Sequence, residues 1–496
     1  MRSPSLIRSI LRRNLRSNLR RSLSIASLAL VAGLTGCAQG LDGDAGLVPL
    51  MSVRQEVQVG REQHPRMLVN FGGAYDDDAL DDYIGDLTRG LVAKSGTPGV
   101  RKVTVLNSPG VNAFALPGGY IYVTRGLLAL ANDEAELAMV IAHEIGHVAA
   151  RHPAKRIARV ASAEILDNPV GRIFNRNQAK MISDIGSDGY VAHYSRLQEF
   201  EADGLGIRLA ARAGYMPSAA TGFLKSMERD QAQRKRLLAK QPANSGKGDY
   251  MSAHPPTPAR LNEALQVVKS LPDSGRRASS EYLNQINGLV YGDSRENGVV
   301  RGRDFFQPVL GFTFRVPQKF AIHNRPNAIV ALGPNKRIIL FDGALVDDDL
   351  PMTEYLRGKW AENFALQNVE PLTINGLQAA TGFAALGKRE VRLVAIRHDD
   401  ERVYRFIIMD QAGALANLRS GYREFINSFR RLSASEARKI QPLRISIHQV
   451  KAGETAESLA RRLPFSTRRT ECFRVMNGLA PGEQPKAGQL VKLVVG

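Results

Sequence analysis

Two histidines four residues apart, His143 and His147, with Glu144 directly after the first, stand in the apolar run MVIAHEIGHVAARH. On a helix this spacing puts both imidazoles on one face, near enough to share a metal ion. Two histidines and a glutamate in an apolar helix need partners, which makes chance a poor explanation of the pattern. Zinc held there would lower the pKa of a water toward neutrality. Glu144 would take that water's proton and later pass it to the leaving amine of a cleaved peptide bond. One zinc ion per chain is the expected cofactor.

A tetrahedral catalytic site also needs a third protein ligand and an open position. The later segment YSRLQEFEADGLG offers Glu199, Glu201 and Asp203. Glu199 and Asp203 share a helix face, so one can bind zinc while the other fixes a histidine ring. Glu201 points elsewhere and reads as a solvated acid or salt-bridge partner. His152, five residues beyond His147, falls off the ligand face and reads as a helix-end cap. His64, His193, His323, His398 and His448 have no companions and read as structural or surface residues.

The elements that must hold these groups are legible nearby. Asp133 with Glu136 three residues on predicts the start of a helix that runs to about residue 150. Before it, RKVTVLNS and the two halves of VNAFALPGGYIYVTRGLL read as short strands, the latter pair turning at Pro117-Gly118-Gly119. DDDALDDYIGDLTRGLVAKSG reads as a helix with an acidic first turn. Further helices are expected over 153–165, 197–213 and 217–240, the last running into a polar, proline-rich loop. From Asp304 the texture changes to strand-like runs, among them LGFTFRVP, RIILFDG and RVYRFIIMD, closed by the helical GYREFINSFRRL.

The H-E-x-x-H helix and the EFEAD segment together resemble the HtpX / CAAX-prenyl-protease family of gluzincin metallopeptidases. That resemblance implies a zinc metalloendopeptidase with Glu199 as third ligand and Asp203 orienting a zinc-binding histidine. NAFALPGG, Asn112 to Gly119, matches the family as well; there an exposed edge strand pairs with substrate backbone, which would give Asn112, Ala113 and Phe114 a substrate-binding role and suit unfolded polypeptides. SAHPPTPAR resembles the family's H-P-x-x-x-x-R segment, implying that His254 sits by the zinc and can cap it, and that Arg260 organises the site. No long apolar span follows the N-terminus, so the likeness is to soluble periplasmic lipoprotein members; no helical repeat array follows the protease segment.

At the C-terminus VKAGETAESLARRL, FRVMNGL and KAGQLVKLVV resemble a LysM module, a βααβ unit that binds glycan chains; peptidoglycan is the partner implied, and a packing unit without ligand is the alternative.

The formal charge is +19, and the seven arginines within residues 1–36 account for seven of it, leaving +12. The remaining positive charge is scattered and comes with no nucleic-acid motif, which excludes nucleic acid as an expected partner; a solvated basic surface explains it, with contact to an anionic envelope surface as the other reading. Residues 1–36 read as a signal peptide. Its apolar part, LSIASLALVAGL, is too short to span a bilayer, and LTGC resembles a lipobox, implying a lipid on Cys37, periplasmic location and, with Ala38 following, the outer membrane. A mitochondrial transit peptide is the competing reading. With only Cys37 and Cys472 present, no internal disulfide is expected.

The expected architecture is α+β and multidomain: signal peptide 1–36, tether 37–65, a mainly helical zincin-type protease domain with a small β-sheet over 66–270, a linker over 271–300, a strand-rich α+β domain over 301–440, and the βααβ LysM-like unit over 445–496. The expected activity is cleavage of misfolded or unassembled envelope proteins. Two alternatives are a wall-binding lipoprotein scaffold or chaperone with a latent protease site, and a peptidoglycan hydrolase.

Overall fold

Ser52 opens the first helix, α1 (Val53–Asn70), with a capping box closed by Gln55. The computed structural model describes residues 51–97, 99–156, 194–238, 254, 257–326, 328–346, 349–362, 364–411 and 420–496. The signal-like segment, Cys37, His193 and most of the helix expected over 153–165 lie outside the described residues. The segment expected as tether up to residue 65 is thus helical from Val53, with Glu56 and Gly60 buried.

Helix α2 (Asp78–Ser95) starts on Asp77 and ends at Gly96 in the left-handed conformation. Strands β1 (Lys102–Leu106), β2 (Ala113–Leu116) and β3 (Tyr120–Thr124) form a sheet of order β1-β3-β2, with β1 parallel and β2 antiparallel to β3. Gly119, at φ +80°, makes the β2–β3 turn, where a Cβ would stand 1.5 Å from the Gly99 carbonyl oxygen. The turn therefore needs glycine. After α3 (Arg125–Leu130), Asp133 accepts the Glu136 amide and starts α4 (Glu134–Ala149). Fourteen residues of α4 are buried, from Glu134 to His147. A helix enclosed on all sides is what its near-continuous apolar sequence requires. Helices α5 (Arg196–Arg212), α6 (Ala219–Leu238) and α7 (Pro258–Lys269) pack around it.

The stretch 271–300, expected as a polar connection, instead holds α8 (Ser279–Gln285) and β4 (Val290–Tyr291). Tyr282, Leu283, Ile286 and Leu289 enter the core shared by α2, α4 and α6. Four apolar side chains dispersed among polar ones at roughly helical spacing are enough to dock the segment, and composition averaged over thirty residues conceals them.

Beyond it the chain is rich in antiparallel strands. A four-stranded sheet, order β15-β7-β6-β5, is built from β5 (Val299–Arg301), β6 (Asp304–Gln307), β7 (Phe312–Arg315) and β15 (Arg430–Arg431). A seven-stranded sheet runs in the order β11 (Gln367–Ile374), β12 (Leu377–Leu386), β13 (Arg389–Asp399), β14 (Arg402–Gln411), β10 (Ile338–Leu345), β9 (Ala328–Leu332) and β8 (Ala321–Arg325). Its two faces bury separate apolar clusters, one dominated by Phe312, Phe314, Phe341, Phe406 and Phe425 and the other by Leu340, Leu393, Ile407 and Met409. Alternation along each strand is what sends neighbours into different cores.

The C-terminal unit is β16 (Leu443–Gln449), α11 (Ala456–Ala460), α12 (Arg469–Met476) and β17 (Leu490–Val495), with α9 (Ser420–Asn427) and α10 (Ala434–Lys439) preceding it. Its strands pair antiparallel, giving the βααβ order, and β4 adds to β16 as a third strand. Ile445, Leu459, Phe473 and Val494 belong to the same core as the helix carrying His143. The Lys492 ammonium, fully buried, donates to the carbonyl oxygens of Ala129, Leu130 and Ala131 at 2.9, 3.2 and 2.7 Å, closing the C-terminal end of α3. No helix among the described residues is long and apolar enough to cross a membrane.

Candidate metal centre

Helix α4 presents His143 and His147 with their Nε2 atoms 3.0 Å apart, both rings buried. Helix α5 crosses it at very close range. A Cβ added to Gly206 would lie 2.8 Å from the His143 amide nitrogen, and one on Gly146 would lie 3.1 Å from the Ala202 carbonyl oxygen. The glycines let the two backbones meet, and this brings Glu199 and Asp203 up to the histidines. Glu199 places Oε2 3.7 Å from His143 Nε2 and Oε1 3.7 Å from His147 Nε2. Asp203 Oδ1 lies 2.9 Å from His143 Nδ1, on the far side of that ring.

His254 enters from the segment before α7. Its Nδ1 stands 2.8 Å from Glu199 Oε1 and 3.2 Å from His143 Nε2. One ligand atom each from His143, His147, Glu199 and His254 lie within 4.8 Å of one another. Thr257 caps α7 and Pro258 occupies its first turn, which fixes Arg260 one residue pair later. The Arg260 guanidinium grips Asp203 with two bonds of 2.8 and 2.7 Å, donates to the His254 carbonyl oxygen at 2.8 Å and lies 3.0 Å from Glu199 Oε2.

The electrostatics follow from this packing. Burial, then the charges of His143, His254 and His152, holds His147 well below the ordinary imidazole value, so it is neutral at pH 7 and its lone pair is available. Burial would raise Glu199, but His254, His143 and Arg260 override it and leave the carboxyl below its ordinary value. The same balance, burial against Arg260 and His143, holds Asp203 well below the usual carboxylate range. Glu144 is different: burial pushes it up to about 7, against the pull of His143 and with help from Glu199. Both Glu144 oxygens are enclosed without a hydrogen-bond partner among the described residues, the closest ion-pair contact being His254 Nε2 at 3.7 Å. An enclosed carboxylate with bare oxygens beside two imidazoles and a second carboxylate is the donor set that zinc and one water would complete.

All of His143, Glu144, His147, Glu199, Asp203, His254 and Arg260 are therefore brought together. Asn112, Ala113 and Phe114 are not among the clustered ligands; they lie at the start of β2, which packs against α4 and pairs only with β3 among the described residues, so forming an edge. The Asn112 amide donates to Thr124 Oγ1 at 2.9 Å, and the Phe114 ring stacks on Tyr122, 4.8 Å between centroids. Three groups beside the centre are not placed there by the sequence, although Glu201, expected as a solvated acid or salt-bridge partner, does pair with His152. His152, read as a helix-end cap, is instead buried with Nδ1 2.8 Å from His147 Nδ1. It returns to the site because α4 stops and Arg151 adopts φ 57°, so helical spacing from His147 does not apply. Glu201 lies 3.2 Å from His152 Nε2, and Tyr194 stacks on the His147 ring at 4.0 Å. Only the alternation of acids in EFEAD could have pointed to Glu201.

Two helices presenting H-E-x-x-H and a facing glutamate define the metallopeptidase class of site. Residues 78–268 match the model of peptidase family M48, whose members use zinc. The mitochondrial metalloendopeptidase OMA1 of Schizosaccharomyces pombe is 29% identical over 195 residues, covering 39% of this chain and 53% of that protein. The beta-barrel assembly-enhancing protease of Yersinia pestis is 28% identical over 249 residues (47% of this chain, 48% of the relative), and that of Escherichia coli K12 is 28% identical over 259 (50% and 51%). The chain spans about half the length of the curated relatives it matches. Among solved structures, cyanobacterial PsbP from Synechocystis is similar at a TM-score of 0.21 and 12% identity, covering 27% of this chain and 98% of that one.

Proposed function

We propose that this chain is a zinc-dependent endopeptidase of the bacterial envelope, cleaving misfolded or unassembled envelope proteins. The observation that carries the reading is the bare, enclosed Glu144 carboxylate beside four ligand atoms within 4.8 Å. His143, His147 and Glu199 would hold the zinc, which when bound acidifies water and polarises a peptide carbonyl. Glu144, with its raised pKa, is suited to take a proton from the attacking water and return it to the leaving nitrogen. Asp203, clamped by Arg260, keeps His143 in its ligating orientation. The open edge of β2 would offer backbone groups to an extended substrate past Asn112, whose own amide and carbonyl are taken by Thr124, so that Asn112 would serve by anchoring the strand that Ala113 and Phe114 continue. The names of the beta-barrel assembly-enhancing relatives support an envelope setting, as does the lipobox-like LTGC, which would place a lipid on Cys37. The βααβ order of 443–495 supports the LysM-like reading and peptidoglycan as its partner.

The test is zinc content and casein cleavage. About one zinc per chain, much less in Glu199→Ala, and cleavage abolished in Glu144→Gln are expected. A folded chain that takes up no zinc on reconstitution would overturn the reading.

One observation favours a second reading, a latent protease. His254, wholly buried and 2.8 Å from Glu199, is one of the four groups whose ligand atoms cluster, and could itself fill the position that water would take. If it caps the metal, His254→Ala raises casein cleavage; if it serves the reaction, the same change lowers it.

A further inference from the structure

The His147 imidazole is held on two sides by groups to which the metal reading gives no task. Its Nδ1 lies 2.8 Å from Nδ1 of His152, which has no exposed surface. Tyr194 stacks on the ring with planes 20° from parallel. His152 in turn places Nε2 3.2 Å from Oε2 of Glu201. Two imidazole nitrogens at 2.8 Å need one hydrogen between them, so one donates and the other accepts. The outer end sets the direction. A carboxylate only accepts, so neutral His152 keeps its hydrogen on Nε2 and offers a lone pair at Nδ1. His147 must then carry its hydrogen on Nδ1, and its bare Nε2 faces His143 Nε2 and Glu199. That is the tautomer a metal ligand requires.

We infer that Glu201 and His152 form a relay that fixes the tautomer and ring orientation of His147. Both are positioning residues, and the inference rests on the zinc reading above. The three acids of EFEAD then divide the work of one helix. Glu199 faces the metal position, Asp203 fixes His143 directly, and Glu201 fixes His147 through His152. The return of His152 depends on the left-handed Arg151, whose guanidinium Nε donates to Glu56 Oε1 of α1 at 2.7 Å. Because the Glu201 side chain is 54% exposed, its share is smaller than that of the enclosed His152.

The experiment uses the full chain labelled with ¹⁵N-histidine, metal-free and zinc-loaded, with His147 assigned by loss of its signals in His147→Gln. Metal-free His147 is expected as the Nδ1–H form. In His152→Leu that form loses its excess, and the zinc dissociation constant rises on the order of 10–100-fold. His152→Asn, whose Oδ1 falls near the position of Nδ1, should recover most of that loss. A parent-like tautomer and zinc constant in His152→Leu would overturn the inference, and so would equal weakening by Leu and Asn, which would make His152 a packing residue. Should the Leu variant not fold, Glu201→Ala at the exposed end decides: severalfold weaker zinc with KM for casein unchanged is expected, and a parent-like zinc constant overturns the relay. A parent that shows the Nδ1–H form but takes up no zinc would sink the zinc reading and leave the relay standing.

Discussion

Glu144 and Asp203 are carboxylates in one buried cluster with opposite tasks, and their surroundings separate them. Glu144 has no cation in hydrogen-bond contact and is pushed up by burial, whereas Asp203 is pinned low by Arg260 and His143. Glu144→Gln is expected to lower kcat on casein about 10²–10⁴-fold while leaving bound zinc at the parent level, since a general base is lost and no ligand is. Asp203→Asn should weaken zinc binding about 10–100-fold. Asp203 also sets an acid limit on the fold. Its folded-state pKa is depressed, so its contribution to stability is present above the unfolded value of about 4 and lost as pH falls below it. Denaturant unfolding of the metal-free chain between pH 5 and pH 2 should show that loss, and Asp203→Asn should flatten it. Most of these residues are legible in the sequence because their chemistry is local: the spacing of His143 and His147 needs only a helix, and Glu199 needs only a second one. His152 is not legible, because a single left-handed residue, Arg151, cancels the helical register on which the spacing argument relies.

Helices α4 and α5 form the working unit, and glycines set their separation. Gly206→Ala improves helix propensity by about 1 kcal/mol. The new methyl, however, falls 2.8 Å from the His143 amide and 2.9 Å from its Cα, both backbone atoms that cannot step aside. Overpacking of that kind costs about 1–3 kcal/mol, so the steric term outweighs propensity. The expected result is a lower Tm together with weaker zinc binding, because α5 carries Glu199 and Asp203 away as it shifts; a rise in Tm at parent zinc affinity would contradict this. Asp133→Ala removes the cap of α4 and the 2.8 Å ion pair with Arg277, and should cost about 2 kcal/mol in chemical denaturation. Capping residues and the Pro117-Gly118-Gly119 turn are readable in the residue types themselves, since they answer to the backbone alone. The close approach of α4 and α5 is not, because a glycine inside a helix says nothing of which backbone it faces.

At the scale of the molecule, the βααβ unit is joined to the peptidase helices by one core and by Lys492. Deleting 443–496 should therefore leave the remainder insoluble or unfolded by circular dichroism, not as a peptidase that has lost an appendage. Lys492→Met should destabilise by about 3 kcal/mol, as removing one partner of a buried charged network does when Glu136 and Asp133 are left behind. The residue pattern carries the βααβ order but not its docking, which depends on side chains more than three hundred residues apart. The contact of Lys492 with Ala131 spans 361 residues. A ribosome adding some 5–20 residues per second needs about 20–70 s to bridge that interval, while α4, with its two histidines and Glu144, has long emerged. Closing so distant a contact is also slow in itself. The support that Lys492 gives the end of α3, just ahead of α4, thus forms only after the whole interval from 131 to 492 has been made.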